Sequence, residues 1–343
     1  MSAVADELKM DFQSATVLQA HTNQVWLLEW SRDGNFLASA SSDKCVIIWG
    51  IGSDRETEAP LRRWEKRYVL SHPFPVISMS WSLDNSILLT GTEHYIKMWD
   101  TKMGVCIRTL AEHSEPVTAL AWLPDDSGFL SAGMDFKIVL WNTGGQRREI
   151  WGVLPVRIAD VAITPDLTQL AVIGMHAPST VDPRAESDPA QSPPPSQHRF
   201  LVFDIATKRN ESSILSEGEL TSLSVSQNSQ YALVSRSPDD IQLWDLNSGR
   251  LVQNYIGQRQ SKDIIRSCFG GRDGNLVVSG SEDSNVYVWD RDSGKLLKVL
   301  EGHGEGSVNC VAWNPRNEHM FASCSDDHTI RIWEASLDTP SPT

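Results

Sequence analysis

Serine, histidine and aspartate are the residues of nucleophilic hydrolysis: a hydroxyl attacks, an imidazole takes its proton and a carboxylate orients the imidazole. The sequence offers this set three times, as His21, Ser39 and Asp43, as His113, Ser131 and Asp135, and as His303, Ser323 and Asp327. Further partial sets contain His72 with Glu93, and Ser279 with Asp283. An active site is built once, so a set that recurs in register argues for a structural part. Each acid precedes an aromatic by six residues, and in the complete sets that aromatic is Trp49, Trp141 or Trp333. At this spacing His, Ser, Asp and Trp suit a buried hydrogen-bond relay that satisfies polar groups inside a sheet.

Other chemistry is not indicated. The sequence has no phosphate-binding G-x-x-x-x-G-K-[ST], no G-x-G-x-x-G after a strand, no G-x-S-x-G and no H-E-x-x-H. Its five cysteines are scattered and form no C-x-x-C, so neither a zinc site nor a disulfide framework is expected. We therefore expect no catalytic residues, no cofactor, no metal and no small-molecule substrate. The formal net charge of −14 argues against a general nucleic-acid binder, which needs a basic surface. No run reaches the ~18 apolar residues of a membrane span, and the N-terminus has no secretory pattern. These features place the chain in the cytoplasm, the nucleus or both.

The elements that must hold the relays recur with them. Seven short alternating segments end in an aromatic: Val46–Trp49, Ile96–Asp100, Ile138–Asn142, Phe200–Asp204, Ile241–Asp245, Val286–Asp290 and Ile330–Glu334. The aromatics are 50, 42, 62, 41, 45 and 44 residues apart. That period, with a Trp-Asp ending, is the mark of β-propeller blades, each a four-stranded antiparallel sheet. The last unit is one strand short, and Ser14–Leu18 is one strand to spare. The expected fold is thus all-β, a single seven-bladed propeller over 12–335 whose N-terminal strand completes the last blade and closes the ring. Disordered ends are expected at 1–11 and 336–343.

Three units depart from the pattern. The fourth has Phe203 in place of Trp and a Pro-rich insertion over 176–198, expected to be disordered and to leave between its second and third strands. The fifth lacks the His and has Pro238-Asp239-Asp240 near the turn; the sixth has Gly257-Gln258 where Gly-His would fit. Arg62, Arg63, Lys66 and Arg67 flank Trp64 in an expected outer strand, where basic residues blunt an edge. A propeller also presents a channel mouth. Trp26 and Asn309 fall at mouth positions with Arg157 and Arg266 beside such positions, and this rim is the expected partner-binding site.

The repeats resemble the WD-repeat family over nearly the whole chain. Narrower stretches are similar to the WD-repeat subunit of the GID/CTLH E3 ubiquitin ligase: His21-Thr22-Asn23-Gln24-Val25-Trp26, Ile265-Arg266-Ser267-Cys268-Phe269-Gly270-Gly271, and Val308-Asn309-Cys310-Val311-Ala312-Trp313-Asn314-Pro315. The resemblance implies a non-catalytic scaffold that joins ligase modules or recruits substrates, with ligase subunits or substrates as protein partners. That family places LisH and CTLH helical segments ahead of the propeller, where this sequence has residues 1–11. The alternatives are a scaffold of an unrelated complex, or a reader of a basic or modified peptide tail on the top face.

Overall fold

The computed structural model describes residues 11–52, 63–176 and 197–336. It contains seven four-stranded sheets, each antiparallel and each in up-and-down order. Blade one runs Val25–Trp30, Phe36–Ser41, Cys45–Gly52 and Arg63–Ser71 from the channel outward. Blades two to six repeat this order. Blade seven takes its inner three strands from Val308–Trp313, Met320–Ser325 and Thr329–Ser336, and its outer strand from Asp11–Gln19. The two ends of the chain thus pair in one sheet, with Phe12 opposite Ala335 and Leu18 opposite Ile330. This pairing closes the ring, so no blade is left with an unfilled place.

Strand alternation buries one apolar set on each face of a sheet. The core is accordingly divided into seven clusters, one in each interface between adjacent blades. Phe129, packed between Trp122 and Trp141 at ring distances of 5.5 and 5.9 Å, and Phe321, packed on Trp333 at 5.8 Å, show the aromatic share of this packing. Tight turns between first and second strands are pinned by short polar bonds. Ser31 Oγ donates to Asp33 and Ser82 Oγ to Asp84, at 2.6 and 2.7 Å. Trp64, in the outer strand of blade one, is buried edge-on against Trp30 while Arg63, Lys66 and Arg67 are exposed around it.

The second strand of blade four ends at His176 and the third begins at His198. Most of the Pro-rich insertion, 177–196, lies outside the described residues, as do 1–10 and 337–343. Among the described residues no helix is long and apolar enough to cross a membrane.

Candidate functional site

The histidine sets are relays inside blades one, three and seven. His21 Nδ1 donates to Asp43 at 2.9 Å, so its Nε2 is the acceptor for Ser39 Oγ–H at 2.8 Å. Ser39 Oγ in turn accepts the Trp49 indole N–H at 2.9 Å. His113, Asp135, Ser131 and Trp141 repeat the chain at 2.9, 2.8 and 2.9 Å, and His303, Asp327, Ser323 and Trp333 at 3.0, 2.7 and 2.8 Å. Burial lowers the His21 pKa despite its Asp43 partner. Burial alone would raise Asp43, but N–H donors from Thr22 and Cys45 and the His21 bond hold it below the usual carboxylate range. Each serine hydroxyl is fully buried and already engaged on both sides, so none is poised to attack a substrate.

Two partial sets differ from the sequence expectation. In blade two Glu93 is exposed and does not bond His72. His72 Nδ1 donates instead to the Leu70 carbonyl at 3.0 Å, and Thr90 Oγ1 serves as the hydroxyl for both His72 (2.9 Å) and Trp99 (3.0 Å). With no carboxylate partner, burial pushes the His72 pKa down to about 4. In blade six no relay forms, because Gln258 stands where histidine would. Asp283 accepts from Tyr287 Oη at 2.7 Å, Ser279 Oγ donates to the Gly280 carbonyl at 3.0 Å, and the Trp289 indole donates to the Ile256 carbonyl at 3.1 Å.

Of the four expected rim residues, Trp26, Arg266 and Asn309 line one depression at the mouth and Arg157 stands apart. Arg266 points into the channel and acts as a strut. Its Nη1 lies 3.1 Å from Asp160 Oδ2 of blade four and its Nη2 donates to the Ile77 carbonyl of blade two at 3.3 Å. Glu29 lines the same channel space of about 130 Å³ and accepts the Trp81 N–H at 3.3 Å. Burial pushes the Glu29 pKa up to about 7, and burial raises Asp160 against the opposing charge of Arg266. Arg266 is thus tied across the channel while also lining the depression at its mouth. Asn309 is buried, its amide donating to the Val25 carbonyl at 3.0 Å and to Asp326 at 2.8 Å, so it fastens blade seven to blade one. Arg157 lies apart, paired with Glu115 between blades three and four.

Trp26 alone of the four offers a half-exposed apolar face at the mouth. It lines a depression of about 340 Å³ together with Arg266 and Asn309, and with Ile77, Ile264, Asp263, Lys262 and Asp326. Ile264, 58% exposed, was not anticipated; the signal available was an Ile-Ile pair in a long polar connection, 256–267. Glu282 holds this connection. Its carboxylate, which burial alone would raise, accepts the N–H groups of Ser261, Lys262 and Asp263, and its pKa falls to about 2. The mouth lies on the face formed by loops that join successive blades and loops that join second to third strands. The acidic residues in or beside these loops, among them Glu93, Glu112, Glu115, Glu217, Glu219, Asp263, Glu301, Glu305 and Asp326, outnumber the basic ones, Lys44, Lys137, Arg157, Arg236, Arg259, Lys262 and Arg266. The surface is an apolar centre in an acidic surround.

Comparison with known proteins fits this ring. The family described as WD domain, G-beta repeat matches residues 12–50, 64–100, 104–142, 249–290 and 294–334. The chain belongs to the WD-repeat family. Each match starts with the outer strand of one blade and ends with the third strand of the next, which is how a WD repeat is offset from a blade. The long unmatched span, 143–248, holds most of the fourth and fifth units, while the sixth, which also lacks the His and the relay, is still matched. Similar WD-repeat proteins include an Arabidopsis thaliana "WD repeat-containing protein 26 homolog", 36% identical over 94% of this chain and 50% of its own length. An Arabidopsis thaliana "WD repeat-containing protein WDS homolog" is 37% identical over 94% of this chain and 57% of its own length. A Schizosaccharomyces pombe "GID complex subunit 7" is 32% identical over 98% of this chain and 61% of its own length. The chain spans about half to three-fifths of the length of these relatives. The Ser267-Cys268-Phe269-Gly270-Gly271 turn has a local physical reason. A Cβ on Gly270 would sit 2.1 Å from the Trp313 ring, and Gly271 has a φ of 70°.

Proposed function

We propose that this WD-repeat scaffold serves as a non-catalytic subunit of a GID/CTLH-like E3 ubiquitin ligase assembly, working in the cytoplasm, the nucleus or both. The observation that carries the binding part of this reading is the mouth itself. Trp26, Ile77 and Ile264 offer an apolar pocket bordered by Asp263, Asp326, Lys262 and Arg266, on a face whose loops are richer in acidic than in basic residues. Such a surface selects a segment with one apolar side chain among basic residues. The similarity to a GID complex subunit supports the ligase context. Five free thiols suit a reducing compartment.

The experiment is co-purification of the tagged chain with its partners, beside an Ile264→Asp variant. Ile264 is exposed, so the fold is retained. Recovery of RING-bearing and LisH- or CTLH-bearing subunits supports the assembly, and their loss, or loss of a substrate, from the variant places the contact at the mouth. Recovery of an unrelated set of proteins defeats the ligase reading. A second reading, recognition of a basic peptide tail, is favoured by the acidic surround; binding that does not weaken between low and high salt would count against it.

A further inference from the structure

Blade five treats its strand tryptophan unlike the other blades. Trp49, Trp99, Trp141 and Trp333 are buried, each with its indole N–H on a serine or threonine hydroxyl. The matching place in blade five, opposite Gln242, is Val234, which has no hydroxyl to offer; Ser235 lies on the other face of the sheet, bonded to Ser222 at 2.9 Å and Ser267 at 2.8 Å. The Trp244 indole turns to Gln242 at 3.1 Å and the ring is left half-buried. The connection from blade four is only Glu217-Gly218, so no histidine-bearing loop covers it. A groove of about 240 Å³ results, walled by Ile214, Trp244 and Leu251.

The other wall of this groove is a sheet edge. Asn210–Ser216 is the outermost strand of blade four, and an edge strand presents a row of backbone groups without a strand partner. The outer strands of blades one, two, three, five and six each carry Lys or Arg, among them Lys66, Arg108, Arg147, Arg250 and Lys298. These residues guard an edge against further pairing. Asn210–Ser216 reads Asn-Glu-Ser-Ser-Ile-Leu-Ser and, like the closing strand Asp11–Gln19 of blade seven, has no Lys, Arg or Pro; it alone of these two borders the groove, and its Leu215 is 55% exposed. The groove is also anionic. Glu217 and Glu219 stand exposed at its upper end, and Arg236 is neutralised by a two-point bond to Asp240 at 2.7 and 2.6 Å.

We propose that this groove is a second docking site, in which an extended segment of a partner protein adds as a fifth strand to Asn210–Ser216. The segment places an apolar side chain against Trp244 and a Lys or Arg against Glu217 and Glu219. Strand addition supplies affinity through main-chain bonds, and the groove and the two carboxylates supply selectivity. The site is on the flank between blades four and five, away from the channel mouth, and does not depend on the ligase reading.

The test uses the full chain and a random octapeptide library displayed on phage, with counter-selection on Leu251→Lys. Leu251 is 42% exposed, so this variant keeps the fold, which its melting curve checks. Enriched peptides should alternate apolar and polar residues and carry Lys or Arg. A synthetic copy should bind about tenfold more weakly to Leu251→Lys and to the Glu217→Lys, Glu219→Lys double variant. It should bind Ile264→Asp unchanged, and methylation of alternate peptide nitrogens should abolish its binding. Three results would overturn the proposal: no enrichment that depends on Leu251, enrichment of acidic peptides, or full binding by the N-methylated copy. Self-association of the chain that Leu251→Lys abolishes, without peptide enrichment, assigns the groove to a second copy and also overturns it.

Discussion

Ser131 Oγ holds two buried groups at once, donating to His113 Nε2 and accepting from the Trp141 indole. Both neighbours are too enclosed to turn to water. Ser131→Ala therefore leaves an acceptor and a donor unpaired, at a cost of about 1–3 kcal/mol. Blade two performs the same task with Thr90, so Ser131→Thr should keep more of this stability than Ser131→Ala. Denaturant unfolding of the two variants decides the matter; equal losses would mean that the relay bonds contribute nothing beyond packing. The three complete relays were legible in the sequence because each is local to one repeat and the repeat supplies its own control. Arg266 was not, since its bond to Asp160 joins residues 106 positions apart and occurs once. A residue type at a mouth position says nothing of whether its side chain turns outward to a partner or inward to a buried carboxylate.

At the scale of the strand, closure depends on Asp11–Gln19. The strand pairs with Thr329–Ser336, and Phe12 packs edge-on against Trp313 at 5.7 Å and Phe321 at 5.4 Å. Phe12→Ala opens a cavity in the interface of blades six and seven and should cost about 3–5 kcal/mol. Deleting residues 1–20 removes the whole strand and exposes the edge of Thr329–Ser336. Melting followed by circular dichroism should show a lower midpoint for both changes and the larger fall for the deletion; an unchanged midpoint in the deletion would mean that the ring closes without this strand. The closing strand was foreseeable because a count of strands leaves one missing at one end and one spare at the other. The acids of blades two and six were misplaced by the same counting. Glu93 has the position of a relay acid but is one methylene longer, and Asp283 lacks a histidine to receive it. Spacing gives the place of a residue in a strand, while its bonds depend on what the neighbouring loop supplies.

For the molecule as a whole, dividing the core among seven interfaces leaves the axis as a channel lined by ionisable groups, and this shapes its response to pH. Glu29 has a folded-state pKa near 7 against an ordinary value of 4.5. The folded protein therefore holds the extra proton between these values, and stability contributed by this site falls as pH rises from about 4.5 to 7. His72 acts with the opposite sign. Its folded-state pKa is about 4 against 6.5, so the unfolded chain holds the extra proton and stability rises as pH goes from about 4 to 6.5. The two windows overlap, and the opposing slopes offset each other in the intact protein. Glu29→Gln should then make stability climb more steeply with pH between about 4.5 and 6.5, and His72→Gln should make it climb less or decline. The slopes differ by about 1.4 kcal/mol per pH unit where a single proton separates the folded and unfolded states. Unfolding free energies for the three proteins across this range measure the slopes directly, independently of any loss common to all pH values. Parallel curves would show that neither group changes its proton affinity on folding, and that water enters the channel and the blade two relay freely enough to leave both at their ordinary values.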